Sequence, residues 1–265
     1  MPLTDAPIMT SSIQPPIIRV QDLVKRYGDF EAVKGISFEV KEGEIFGLLG
    51  PNGAGKSTTL EIMETLRTKT SGQVMVGGYS IDTDAAAIKS IIGVQLQASG
   101  FYPGLSLLEL MDLFNGLYNE RADALSLLRL VNLEDKARSR YKSLSGGQKQ
   151  RFSIATTLIN RPRIVFLDEP TTGLDPQARR NLWELIRRIR EEGTTIILTT
   201  HYMDEAEILC DRVAIIDEGR IIAIDDPSAM IDALLQSGFT RQQAVKAASL
   251  EDVFIHLTGH DIRED

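Results

Sequence analysis

With 265 residues, 43% of them apolar, the chain is long enough for one large domain or two small ones and has the composition of a packed protein, which excludes wholesale disorder. Acidic residues outnumber basic ones, 37 to 29, for a net charge of -8, and this balance excludes nucleic acid as the main partner unless the cations are concentrated locally. A single cysteine, Cys210, excludes an internal disulfide and a cysteine-built metal cage.

Residues 1–16 hold no basic cluster followed by an apolar stretch, so they are expected to form a flexible polar tail and not a secretion signal. The longest apolar runs, such as residues 196–198, fall far short of the roughly 20 residues that a membrane-spanning helix needs. A cytoplasmic chain follows as the expectation. Residues 17–20 and 36–40 read as strands separated by polar punctuation at Gly28 and Asp29, an antiparallel β start. Residues 44–49 predict a strand, a glycine-rich turn follows, and residues 56–66 predict a helix, together half of a βαβ unit. Between about residues 98 and 160 the period turns helical, with Leu107, Leu110, Met111, Phe114 and then Leu117 or Tyr118 forming one apolar stripe. Strands over 164–167, 195–199 and 213–216 then alternate with helices over 177–190 and 204–209, the rhythm of a largely parallel sheet. The chain from Pro227 onward is helical in pattern. The expected domain runs over 17–226, with a helical lobe at about 98–160 and a helical extension over 227–265 packed on the same domain.

Gly50-Pro51-Asn52-Gly53-Ala54-Gly55-Lys56-Ser57 places Gly, four residues and Gly-Lys-Ser between a predicted strand and a predicted helix, the pattern of a phosphate loop. Glycines let the backbone turn sharply and aim its N–H groups at phosphate, and the helix adds its positive end. Lys56 is expected on the β and γ phosphates and Ser57 on Mg²⁺. The run from Ile164 to Leu167 ends in Asp168-Glu169, at the sheet edge where α/β folds collect ligands. Asp168 is expected to serve the metal and Glu169 to act as base or to orient water. Ser145-Gly146-Gly147-Gln148, after Leu144, heads a predicted helix and offers a second set of free N–H groups to an anion.

In their order and spacing the phosphate loop, Leu144-Ser145-Gly146-Gly147-Gln148 and Leu167-Asp168-Glu169-Pro170 resemble those of the nucleotide-binding subunits of ABC transporters. The resemblance covers about residues 18–224. It implies an α/β P-loop NTPase fold with a mixed, largely parallel sheet, an antiparallel β subdomain and a helical lobe. ATP and Mg²⁺ are implied as cofactors, with Asn52, Gly53, Ala54, Gly55, Lys56, Ser57 and Thr58 cradling phosphate. The same resemblance implies that Tyr27 stacks on adenine and that Gln97 reaches Mg²⁺ and the attacking water, with Gln95 two residues earlier able to face the same side. Asp175 matches the aspartate of the loop after the acidic pair, although helix capping ahead of Pro176 explains it equally well. His201 matches the histidine that contacts the γ phosphate and supports the glutamate. Each complete ATP site is implied to form between two subunits, a homodimer here, on the cytoplasmic side of a separate transmembrane permease. Residues 93–98 and 249–259 resemble ATPases of the ABC-2 exporter class, which carry drugs, antibiotics or lipids. Phe101-Tyr102-Pro103 either docks on the permease or fills the lobe's own core. A soluble ABC ATPase acting on ribosomes or DNA shares the catalytic motifs, but the single cassette, the absence of heptads and the acidic balance speak against it.

Overall fold

Gly28, at φ +58°, and Asp29 reverse the chain between two antiparallel strands, β1 (Ile18–Tyr27) and β2 (Phe30–Val40), so the polar punctuation between the expected strands is a hairpin turn. The protein is described by a computed structural model over residues 15–95, 100–239 and 250–258. Gln97, residues 1–14 of the expected tail, and parts of both exporter-like segments lie outside the described residues.

From the hairpin the chain continues through β3 (Ile45–Leu49), α1 (Lys56–Met63), β4 (Ser71–Val76), β5 (Tyr79–Ser80), α2 (Ala85–Ile91) and β6 (Ile92–Gln95). Three helices follow, α3 (Leu107–Tyr118), α4 (Ala124–Leu130) and α5 (Gly146–Thr157), and then β7 (Ile164–Asp168), α6 (Pro176–Glu191), β8 (Thr195–Thr200) and α7 (Met203–Leu209). The hairpin β9 (Arg212–Asp217) and β10 (Arg220–Asp225) leads to α8 (Pro227–Gln236) and α9 (Leu250–Thr258).

Among the described residues, four strands pair antiparallel in the order β2-β1-β4-β5, and six form a second sheet in the order β10-β9-β3-β8-β7-β6. Within the larger sheet every pairing is parallel except that of β10 with β9. This is the expected mixed α/β sheet with an antiparallel companion. Strands β3, β7 and β8 are buried along their whole length, which is why they read as unbroken apolar runs and not as alternating ones. Their side chains still alternate between two cores, as the period of two requires. Phe46, Leu48, Phe166 and Ile197 face the antiparallel sheet, where Phe38 stacks on Phe46 with ring centres 5.4 Å apart. Ile45, Leu49, Val165, Leu167, Ile196 and Leu198 face the helices.

Helix α3 starts at a capping box in which Ser106 Oγ accepts from the Glu109 N–H and the Glu109 carboxylate accepts from the Ser106 N–H, and its stripe buries Leu107, Leu110 and Met111. The stripe ends sooner than its periodicity suggested. Leu117 is 70% exposed and Tyr118 is also open to solvent, because the last turn of α3 runs past the core. Of the aromatic pair ahead of α3, one ring fills the lobe's core and the other does not. Phe101 packs against Phe114, Tyr141 and Phe152 at 4.9–5.8 Å, while Tyr102 is 67% exposed. Past β10, Met230 and Leu234 of α8 and Val253 of α9 join the helix-side core. No described helix is long and apolar enough to cross a membrane.

Strand β6 lies so close to α5 that a Cβ on Gly93 would sit 2.2 Å from the Thr157 carbonyl oxygen. Gly93→Ala is expected to lower the free energy of unfolding by about 1–3 kcal/mol, read as an earlier midpoint in urea. Gly116→Ala, inside α3 with open space around its Cβ, is expected to hold or raise that midpoint.

Candidate active site

Parallel β3, β8 and β7 end at one edge of the sheet, and the turn after β3 carries the glycine loop across it. The Gly50 N–H donates to the Thr200 carbonyl at 3.2 Å, fastening the loop to the end of β8. Two of its glycines are obligatory. A Cβ on Gly50 would stand 2.0 Å from the Ile216 carbonyl oxygen, and one on Gly55 2.6 Å from that of Ala32, with Gly55 also at φ +99°. Gly55 is the N-cap of α1 and no side chain caps that helix, so its first N–H groups face the loop's hollow.

Lys56 is only 4% exposed. Its Nζ donates to the carbonyls of Gly50 at 2.8 Å and Pro51 at 3.0 Å and lies 3.4 Å from Oε1 of Glu169. Burial pushes the ammonium's pKa down, and Glu169 works against that shift. Beside it, the Ser57 hydroxyl donates to Oδ1 of Asp168 at 3.0 Å, and the Thr199 hydroxyl donates to the same oxygen. Thr199 also accepts the Glu169 N–H at 2.9 Å, so one hydroxyl holds the Asp168 carboxylate and the Glu169 backbone. Sequence reasoning passed over Thr199. Its only signal is register, since it lies directly opposite Asp168 on the neighbouring strand.

Glu169 adopts φ +46°, a left-handed conformation that costs a residue with a side chain about 1–2 kcal/mol. Besides the contact to Lys56, its Oε2 accepts from the Thr172 hydroxyl at 3.1 Å and lies 3.3 Å from Nδ1 of His201. The His201 imidazole, with help from Lys56 and Thr172, holds the carboxyl at about 2 against the opposing effect of burial. A carboxyl this acidic stays ionised at neutral pH, a state suited to orienting water and not to storing a proton.

Tyr27, Asn52, Gly53, Gly55, Lys56, Ser57, Thr58, Glu169 and His201 line one cavity of about 650 Å³, together with Phe30, Ala32 and Thr172. Tyr27 is 40% exposed, and the charged ends of Lys25 and Arg67 lie over its ring at 4.9 and 5.5 Å. Phe30, at the start of β2, is a wall residue that sequence reasoning missed.

The Ser-Gly-Gly-Gln segment lies elsewhere. Ser145 caps α5 in a capping box, accepting from the Gln148 N–H at 3.3 Å while the Gln148 side chain accepts from the Ser145 N–H at 2.9 Å. Ser145, Gly146, Gly147 and Gln148 share a second hollow, of about 210 Å³, with Gly173, Leu174 and Asp175. Asp175 caps α6, accepting from the N–H groups of Gln177 at 3.0 Å and Ala178 at 2.9 Å, with Pro176 in the first turn. The fold thus gathers Tyr27, the loop, Asp168, Glu169 and His201 at one place, and Ser145–Gln148 with Asp175 at another.

Glu64, the C-cap of α1, is buried, and neither carboxyl oxygen has a hydrogen-bond partner. Burial, with Asp168 and Glu61 adding to it, pushes its pKa up to about 8. The folded chain therefore holds this proton up to about pH 8, whereas the unfolded chain releases it near the ordinary 4.5. Unfolding releases a proton between those limits, and stability falls as pH rises through them. Thermal unfolding of wild type and Glu64→Gln over that window is expected to show wild type losing ground steadily toward alkaline pH. Parallel curves would show the carboxyl to be ionised.

Residues 33–172 match the family model described as ABC transporter. The chain is 38% identical over 256 residues to the linearmycin resistance ATP-binding protein of Bacillus subtilis, covering 91% of this chain and 82% of that protein. It is 42% identical over 248 residues to the Nod factor export ATP-binding protein I of Burkholderia orbicola, covering 92% and 82%. Among solved structures it is similar to an ATP-binding subunit of an ABC transporter, with a TM-score of 0.77 and 29% identity over 91% of this chain and 99% of that one. A dimeric ATP-binding cassette in a post-hydrolysis state, bound to ADP and Pi, matches with a TM-score of 0.70 and 29% identity, covering 79% and 98%.

Proposed function

The chain belongs to the ABC transporter ATP-binding family and is an ATPase, and from that premise we propose that it energises export through a separate membrane permease, working as a homodimer whose two ATP sites each draw on both copies. One observation carries the dimer. The phosphate cradle with Glu169 lines one cavity, with Asp168 bonded to Ser57 at its wall, whereas Ser145–Gln148, the other helix end read as anion-binding, lines a different hollow of the same chain. A second copy supplies what the first cannot bring to its own nucleotide. The dimeric relative bound to ADP and Pi supports this, and the two export relatives support the direction of transport.

In this reading Tyr27 stacks on adenine, an interaction worth roughly 1–3 kcal/mol. The N–H groups from Asn52 to Thr58 take the phosphates, and Lys56 exchanges the carbonyls of Gly50 and Pro51 for β and γ oxygens. The adjacent Ser57 hydroxyl and Asp168 carboxylate are hard oxygen donors that fit Mg²⁺, and together with Gln97 they would hold it. That ion, when bound, neutralises charge spread over the phosphates. Glu169, held ionised, aligns the attacking water, while His201 keeps the carboxylate aimed and reaches the γ phosphate. Asp175 both caps α6 and faces the partner copy. The chain meets the permease, at the cytoplasmic face of the membrane, through Tyr102 and the open side of α3, where Leu113 and Leu117 are exposed.

Sizing of Glu169→Gln with and without ATP is the direct test. A dimer that appears only with ATP is expected, and a persistent monomer would remove the shared site. Lys56→Ala is expected to cut hydrolysis at least about 100-fold. Recovery of the chain from membranes together with a polytopic protein is expected, and recovery only with ribosomes or DNA would refute the transport role.

A further inference from the structure

His201 follows directly on β8, and its orientation decides what its imidazole can do for Glu169. The contact to the carboxylate alone does not fix that orientation, because Nδ1 stands 3.3 Å from it and is poorly aligned for a hydrogen bond. Ring packing takes its place. The Tyr202 ring lies 4.1 Å from the imidazole centre at a tilt of 41°. The guanidinium of Arg179 lies 4.3 Å from the centre of the Tyr202 ring. Arg179 is in the first turns of α6, its N–H donating to the carbonyl of the N-cap Asp175 at 2.9 Å. Its Nη1 pairs with Asp204 of α7 at 3.4 Å, while its Nε is buried without a partner, so stacking and one ion pair fix the head group.

We propose that Tyr202 and Arg179 are positioning residues for His201, a guanidinium, a phenol ring and an imidazole packed in series, through which the first turns of α6 set the angle of the histidine. A second bond between the same two helices holds the series in register. Trp183 Nε1 of α6 donates to Oε1 of the buried Glu205 of α7 at 3.1 Å, and the Tyr202 N–H is fixed on the Thr200 hydroxyl at 3.0 Å. The loop from Thr171 to Asp175 ends on α6, so any shift of that loop that carries α6 with it reaches the imidazole as a rotation. The inference rests on the reading of His201 as the partner of Glu169.

The full chain is tested in two ways. The histidines are His201, His256 and His260, so the His201 ring protons are assigned in proton NMR by their loss in His201→Gln. Tyr202→Ala is expected to remove the ring-current shift of that signal, Arg179→Ala to move it without touching the imidazole, and Tyr202→Phe to keep it. In steady-state hydrolysis both alanine variants are expected to lower kcat about 10- to 100-fold with KM for ATP unchanged, and Tyr202→Phe to restore it. Thermal midpoints check that the variants are folded. A His201 signal that stays put in Arg179→Ala overturns the proposal, as does wild-type kcat in both alanine variants when His201→Gln has lost activity. If His201→Gln retains full activity, the catalytic reading of the histidine fails, and the resonance alone decides whether the stack exists.

Discussion

A buried ammonium keeps its charge only where acceptors surround it, and Lys56 is the point from which the rest of the site is organised. Two loop carbonyls and the Glu169 carboxylate meet it, so the glycine loop after β3 and the acidic end of β7 are tied together across the intervening strand β8. Parallel register makes this possible. Leu49 pairs with Thr200 and Asp168 with Thr199, which brings the ends of three strands to one edge with their polar residues adjacent. The left-handed turn at Glu169 is the conformational cost of aiming its carboxylate back at the lysine, and four polar neighbours offset it.

The elements easiest to read in the sequence were those whose pattern and burial have a single cause. Strands β3, β7 and β8 are continuous apolar runs because both faces are covered, and α6 shows an unbroken stripe of Leu182, Leu185, Ile186 and Ile189 because one face packs on the sheet. The glycine loop was legible because Gly50 and Gly55 leave no room for a side chain. Less visible were β4, β5, α2, β6 and β10, which are short, interrupted by glycine or half exposed, so their pairing partners and not their own residues define them. Thr199, Arg179 and Tyr202 escaped for a related reason. Each acts through a neighbour that only the tertiary arrangement brings close, and no local spacing announces it. Phe101 and Tyr102 show the same limit from the other side, since adjacent aromatics with equal claims to a core were separated only by the direction of the chain.

The two helix ends proposed to bind phosphate differ in readiness. At α1 no side chain competes for the first N–H groups, whereas at α5 the reciprocal Ser145–Gln148 box already satisfies donors that a phosphate would claim. At α1 only the Lys56 ammonium has bonds to exchange and no side chain occupies the cap, while at α5 the cap's own hydrogen bonds must be exchanged. That asymmetry fits a sequence of events in which nucleotide settles on the glycine loop first and recruits the second helix afterwards.

The hydrogen bond from Trp183 to Glu205 has a practical side. Trp183 is the chain's sole tryptophan, and its indole is anchored between α6 and α7 by Glu205. Light absorbed at the red edge of the protein spectrum thus excites one chromophore at one place. Its emission wavelength and lifetime report the spacing of those two helices, so an unlabelled sample carries its own optical gauge of the catalytic cycle.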